Sequence, residues 1–294
     1  MGRRSKVKDS SAPTPEVAPT PAKPFIVLRP PRGWGFPDFR ELWQYRELLY
    51  FLTWRDIKVR YKQTLLGVSW AILQPFISMV VFSIFFGRLA KLPSDGIPYP
   101  IFSYAGLLPW DFFVKAFNKA SRSLVASRPM LTKVYFPRLA IPLAAVLGAL
   151  VDFALAFLVL AGLMVWYGVR PTPYLWTLPL FLLLAFIVAF GASLWASALN
   201  VLYRDVGYIL PFVVNLLFFV TPVVYAPSMI PERWRLIYAL NPMAGVVNGF
   251  RWALLQAPPG PDLGMLLSIG VALVVLVTGL LFFHYMERYF ADRV

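Results

Sequence analysis

Asp152 stands inside a long apolar run, Leu139–Tyr167, and a carboxylate at such a depth is a functional residue by default. No basic residue accompanies it in that run, so two roles stay open, a proton relay or a protonated packing group. Asp111 and Lys115 lie near the polar end of another apolar run. The single histidine, His284, sits beside Glu287 and Arg288 at the end of the last run and reads as an interface residue, not a ligand. Asn200 and Asn215 are expected to hydrogen-bond across helices. With one His, no Cys and no H-E-x-x-H, neither a metal site nor Cys/His catalysis is expected. There is no G-x-x-x-x-G-K-S/T either, so ATP has no P-loop on this chain.

The elements that position these groups are those of a membrane protein. Of the 294 residues 59% are hydrophobic and 17% aromatic, and the mean hydropathy is +0.65. A soluble chain of this size could not bury that much apolar surface. The net charge of +14 would suggest nucleic acid if the cations clustered on a soluble domain. Instead nearly half of the 28 Lys and Arg precede position 63, and most others flank apolar runs. The charge therefore reads as topology and lipid contact, with no nucleic-acid partner. No apolar stretch precedes about Leu65, so a cleaved secretory signal is not expected. Residues 1–38 are Pro-, Ala- and Lys/Arg-rich and read as a disordered cytoplasmic tail, leaving 39–294 as the transmembrane domain.

Along Phe39–Gln63, Leu42, Tyr45, Leu48, Leu49 and Leu52 recur at helical spacing, and Arg55, Lys58 and Lys62 share a face. This predicts an amphipathic helix in the inner-leaflet interface, anchored by Trp43, Trp54 and Tyr61. A soluble helix on a cytosolic partner has the same pattern. Six spans follow, at about Thr64–Gly87, Pro100–Lys119, Leu139–Tyr167, Tyr174–Leu202, Val206–Tyr225 and Leu263–Tyr285. Each is near the ~20 residues that cross a bilayer core. With both termini cytoplasmic, only Arg88, Lys91, Arg170, Arg233, Arg235 and Arg251 fall outside. No internal repeat is visible, which disfavours inverted-repeat carriers. In the first span Gly67, Ala71, Gln74, Ser78, Phe82 and Phe85 form one stripe that suits either helix packing or an aqueous path. Pro75 predicts a kink there.

Two connections carry further signals. Ser121–Arg138 is basic, through Arg122, Arg128, Lys133 and Arg138, and lies at the cytoplasmic surface. Charge alone allows a loop held by headgroups or a docking element for a soluble partner. Between Tyr225 and Asp262, prolines punctuate two short helical pieces, Glu232–Leu240 and Met243–Leu255, bearing Trp234, Tyr238, Phe250 and Trp252. Both are too short to span and are expected to dip into the outer interface, as an external gate or a passive lid. Because intramembrane carboxylates are sparse, an ion gradient is a poor energy source for transport, and a partner ATPase is the better one.

Five dispersed motifs resemble the type-2 ABC exporter permeases, in the branch that exports O-antigen, capsule and teichoic acid. They are RDIKVRYKQTLLGVSWAILQP (Arg55–Pro75), LTKVYFPR (Leu131–Arg138), NVLYRDVGYILPF (Asn200–Phe212), TPVVYAPSMIP (Thr221–Pro231) and LNPMAGVVNGFRWALL (Leu240–Leu255). The likeness runs from about Phe39 to the C-terminus, and the long Pro-rich tail departs from it. It implies an all-α integral membrane protein of six spans, with an N-terminal interface helix and a short external helical hairpin between spans five and six. It implies a homodimer in a bacterial cytoplasmic (inner) membrane, two P-loop ATPase chains carrying ATP and Mg, and a lipid-linked polysaccharide as cargo. The chain itself would hold no cofactor and would be a transport subunit, not an enzyme. Leu124, Arg128, Met130, Leu131, Lys133 and Tyr135 would belong to a helix coupling it to the ATPase. The gate helices would include Trp234, Tyr238, Asn241, Phe250 and Trp252. Phe82, Phe85, Phe218 and Tyr225, with Gln74 and Ser78 of the first-span stripe, would line the substrate path. A drug or lipid exporter of the same type, or a membrane glycosyltransferase, are the other classes considered; the second would need acidic metal or sugar-nucleotide motifs that are not found.

Overall fold

The computed structural model describes residues 35–62, 67–131, 133–203 and 205–293, and every regular element among them is helical. The expected disordered tail lies outside the described residues except for 35–38, which lead into the first helix. Helix α1 (Phe39–Gln44) starts where the Asp38 carboxylate accepts from the Arg40 amide at 2.8 Å, a side-chain N-cap. Helix α2 is Arg46–Lys62, and α3 is Gly67–Phe82, continuing as a π-helical stretch over Ser83–Leu89. Helices α4 (Tyr99–Ala126), α5 (Arg128–Leu131), α6 (Ala140–Trp166), α7 (Leu178–Leu202) and α8 (Val206–Val220) follow. Two short helices, α9 (Glu232–Ala239) and α10 (Pro242–Leu255), precede α11 (Leu263–Arg293). Asn241 caps α10 by accepting from the Met243 amide at 3.1 Å, with Pro242 at the first helical position.

Four segments among the described residues are long and apolar enough to cross a membrane: Ser69–Leu89, Ala140–Trp166, Leu175–Leu202 and Leu263–Phe290. The other two expected spans differ for separate reasons. With 28 residues, α4 has the length, but Asp111, Lys115, Lys119 and Arg122 interrupt its apolarity. In contrast, α8 is apolar but has only 15 residues, about 22 Å at ~1.5 Å per residue against a ~30 Å hydrocarbon core. The apolar run continues to Tyr225, yet the helix stops at Val220. Thr221 is extended (ψ 134°), as expected for a residue preceding proline, here Pro222.

The core forms around α4, whose residues Ile101–Trp110 are all buried among α6, α7 and α10. Polar groups inside tie the helices together. Tyr104 donates to the Ala156 carbonyl (3.1 Å) and the Asn200 amide group to the Ser121 carbonyl (3.0 Å). Asn215, expected to do the same, is instead exposed on α8. At the α7–α11 crossing, a Cβ on Gly279 would lie 2.6 Å from the Gly191 carbonyl oxygen, so only glycine permits that approach. Helix α3 packs through Ala71, Pro75 and Met79, not through the whole expected stripe: Gln74 and Phe85 are exposed. The outward faces of α3 and α8 remain apolar, including Ile77, Val81, Ile84, Phe212, Leu216 and Phe219.

Candidate functional site

The aromatic residues expected along a substrate path separate into a packed and an exposed group. Phe82 lies 5.6 Å from Phe86 and 5.7 Å from Phe218, centroid to centroid. Phe218 in turn meets Trp110 at 5.7 Å, and Trp110, Phe113 and Phe117 continue the contacts along α4. The sequence pattern missed these three rings, although their spacing of three and four residues marks one helical face. Phe85 points away and is 57% exposed. Tyr225 joins through its hydroxyl, which donates to the Phe219 carbonyl at 3.1 Å. Ser78 is half-buried in α3, while Gln74 faces a different feature, a cavity at the α2 end of the bundle.

That cavity, of about 880 Å3, lies between α2, α3, α4 and α6. Asp152 is not alone there: Arg60 forms an ion pair with it and the Tyr61 hydroxyl donates to it. Burial pushes the Tyr61 phenol up, which keeps it a donor. Lys119 pairs with Asp56 at 3.0 Å, and Arg55 reaches the same carboxylate at 3.1 Å. Thus the inward face of α2 carries Asp56 and Arg60 beside buried Leu52. Lys58 and Lys62 are exposed on the outward face with Phe51 and Trp54. Cations and aromatic rings on one exposed face suit a helix at a headgroup layer.

At the same end, the segment expected to couple to an ATPase is divided. Leu124 is fully buried in the last turn of α4 and belongs to no separate helix. After Ser127, α5 is a single turn in which Met130 and Leu131 are half-buried and lean on the core. Arg128 and Lys133 are exposed, as is Val134. Tyr135 donates to Glu41 at 3.1 Å, and burial followed by the Glu41 charge pushes its phenol up. Arg138 donates to the Glu287 carbonyl of α11. His284 lies nearby, with its Nδ1 3.6 Å from Glu287.

At the opposite end, α9 and α10 hold the expected gate residues in unlike settings. Trp234 is 46% exposed, Tyr238 half-buried and Phe250 wholly buried, with its ring edge-on to Phe153 at 5.9 Å. Trp252 stacks on Tyr174 at 4.4 Å, and Asn241 donates to the Thr221 hydroxyl at 2.8 Å. The residue that organises this end was only counted as an outside charge from the sequence. Arg251 is 1% exposed. Its guanidinium donates to the carbonyls of Phe102, Pro222, Val223 and Tyr225 and lies 3.7 Å over the Phe102 ring. Those carbonyls belong to α4 and to the irregular turn after α8, so Arg251 ties that turn to α4, helped by the Tyr99 hydroxyl, which donates to the Val224 carbonyl at 2.6 Å. Gly106 makes the room, since a Cβ there would lie 2.5 Å from Arg251 Nη2.

With this geometry in view, comparison with known proteins is specific. The O-antigen export system permease protein RfbA of Klebsiella pneumoniae is 29% identical over 247 residues, 84% of this chain and 94% of that protein. The Myxococcus xanthus protein of the same name is 32% identical over 241 residues, 81% of this chain and 91% of the relative. The polysialic acid transport protein KpsM of Escherichia coli is 24% identical over 238 residues, again 80% of this chain and 91% of the other. The sequence profile of the ABC-2 type transporters matches residues 47–255, from the start of α2 to the end of α10, and the chain belongs to that family.

Proposed function

We propose that this chain is the membrane-embedded permease subunit of an ATP-driven exporter of a lipid-linked polysaccharide, such as an O-antigen or capsule. One observation carries the reading: relatives named as O-antigen export permeases match more than four-fifths of this chain and of themselves. Six spans are proposed, with charged α4 as the second and α8 plus the Thr221–Tyr225 turn as the fifth. Both termini face the cytoplasm of a bacterium, and α2 lies at the inner leaflet. Two copies pair, and two separate P-loop ATPase chains supply ATP and Mg. Exposed apolar faces on α3 and α8 would be covered between the copies. The rings of Phe82, Phe85, Phe218 and Tyr225, with Ser78, suit the stacking of sugar faces along a path. Gln74 would serve at the inner mouth. Residues 128–135 receive the stroke of the ATPase, and α9 and α10 gate the outer end.

Orientation is tested by single cysteines, which have no background because the chain has none. A cysteine at Ser228 should react with an impermeant thiol reagent outside intact cells, and one at Ser127 should not. Cargo is tested by glycan export in cells. Phe82→Ala with Phe85→Ala should insert normally and export less glycan; normal export would remove both rings from the path. Met130→Asp with Leu131→Asp should insert but lose copurification with the ATPase or lose export. If it keeps both, the segment is only a loop.

A further inference from the structure

Within the α2-end cavity, four polar side chains of α4 lie on one face: Lys115, Asn118, Lys119 and Arg122. Opposite them stand Asp56, Arg60 and Asp152. Local carboxylates answer some of these charges but not all. Asp152 is taken by Arg60, and Asp56 by Lys119 and Arg55. Lys115 and Arg122 form no ion pair with any described residue. The field of Asp111 reaches Lys115 without such contact, and Arg122 reaches only the Gly207 carbonyl, at 3.2 Å. Between them the Asn118 side-chain oxygen is buried with no hydrogen-bond partner among the described residues. Five cations face two carboxylates around a space that a bulky anion would fit. Lys115 and Lys119 are half-buried while Arg122 reaches the exposed rim, so an anion entering the cleft would meet partly desolvated cations, which attract it more strongly than cations in water do.

Leu52, Trp70, Ala71, Ile141 and Ala144 give the cavity an apolar wall beside Gln74, Ser123 and Ser127, and Trp70 at 50% exposure marks a side of the cavity toward the surroundings. A free phosphate would leave that wall unused. We propose that the cleft binds the phosphate ester headgroup of a lipid. Lys115 and Arg122 hold its phosphate oxygens, the Asn118 oxygen accepts from a headgroup hydroxyl, and the wall beside Trp70 takes the first carbons of its tail. Lys119 stays on Asp56, and the Arg60–Asp152 pair closes the floor. The ligand is either an anionic phospholipid of the leaflet or the phosphate end of a lipid-linked cargo. The second source rests on the export function proposed above, and the first does not.

Native mass spectrometry of the full-length permease in detergent distinguishes them, with phosphatidylglycerol, a polyprenyl diphosphate and phosphate-free diacylglycerol titrated separately. A phosphate lipid should be retained and diacylglycerol should not. Lys115→Gln with Arg122→Gln should weaken retention by at least ~10-fold, the scale of losing charge-assisted hydrogen bonds. Loss confined to phosphatidylglycerol assigns the site to a leaflet lipid, and loss confined to the diphosphate assigns it to cargo. Loss of both assigns it to the shared headgroup chemistry. Should the double variant fail to fold, Asn118→Asp places a carboxylate at the same spot without changing size and should repel either lipid. Wild-type retention by the variants, or equal binding of diacylglycerol, overturns the proposal. Export scored in cells reports separately: lipid retention with no glycan export removes the cargo reading and leaves the site.

Discussion

Two ends of the same bundle treat their cations in opposite ways. At the α9–α10 end, Arg251 is enclosed, and main-chain carbonyls from two segments together with an aromatic face satisfy its guanidinium. No carboxylate among the described residues pairs with it, and the guanidinium acts as a clamp on the turn after α8. At the α2 end, side-chain carboxylates answer some cations, leaving others facing an open cavity. A carbonyl clamp is cheap to keep closed and hard to reopen, because each oxygen released must find another donor or remain unpaired. At the α2 end the side-chain ion pairs can stay closed, because Lys115 and Arg122 are left over to face the cavity. One end is built for fixed geometry and the other leaves cations open to an anion.

Arg251→Met tests this contrast most severely. It keeps much of the side-chain volume but strands several buried carbonyls, and should destabilise by roughly 3–5 kcal/mol, the scale of several buried acceptors left unpaired at about 1–3 kcal/mol each. Unfolding in detergent measures it; a loss under about 1 kcal/mol would mean that water already serves those carbonyls. Gly106→Ala pushes a methyl group against the same guanidinium and the Val223 carbonyl, at 2.5 and 2.7 Å. The expected cost is about 1–3 kcal/mol, as for an overpacked core. Its lower melting temperature should be shared by Arg251→Met with Gly106→Ala, without addition of the two effects.

At the α2 end the effects should be smaller. Asp152→Asn leaves Arg60 without its carboxylate, but the Arg60 side chain keeps 29% exposure, so water shares the charge. A loss of about 1–2 kcal/mol is expected, below the fully buried range. Adding Arg60→Met should recover most of it, because two neutral groups replace a broken pair; no recovery would mean that Asp152 acts by another contact. The smallest change is Tyr135→Phe. It removes one exposed bond to Glu41 and should cost only about 0.5 kcal/mol in thermal unfolding, near the low end for a hydrogen bond. A larger loss would make the α1 contact a structural tie of the loop.

Particular residues show why some features were legible early. Pro231, Asn241 and Pro242 punctuate the chain locally, and α9 and α10 begin within a residue or two of where these predict. Likewise Ala140–Trp166 is bounded by the ends of its own apolar run. The end of α8 was less visible. Apolarity continues past Val220, and hydropathy does not register that Pro222 and a distant arginine take the backbone out of the helix. The aromatic residues proposed for a substrate path were legible as types, but their partition into packed Phe82 and exposed Phe85 depends on where α8 lies.

By itself the sequence determined the class of protein, the positions of its long helices and the break before α9. Each of these follows from composition and from neighbours within a few residues. Only the tertiary structure decided what the charges do. Tyr61 meets Asp152 across 91 residues, and Arg251 reaches the Phe102 carbonyl across 149. Hydropathy treats a charge as a cost or a topological marker wherever it stands. Whether it becomes a clamp, an ion pair or an open site depends on which acceptors the packed helices bring within hydrogen-bonding distance, and those are remote in the chain.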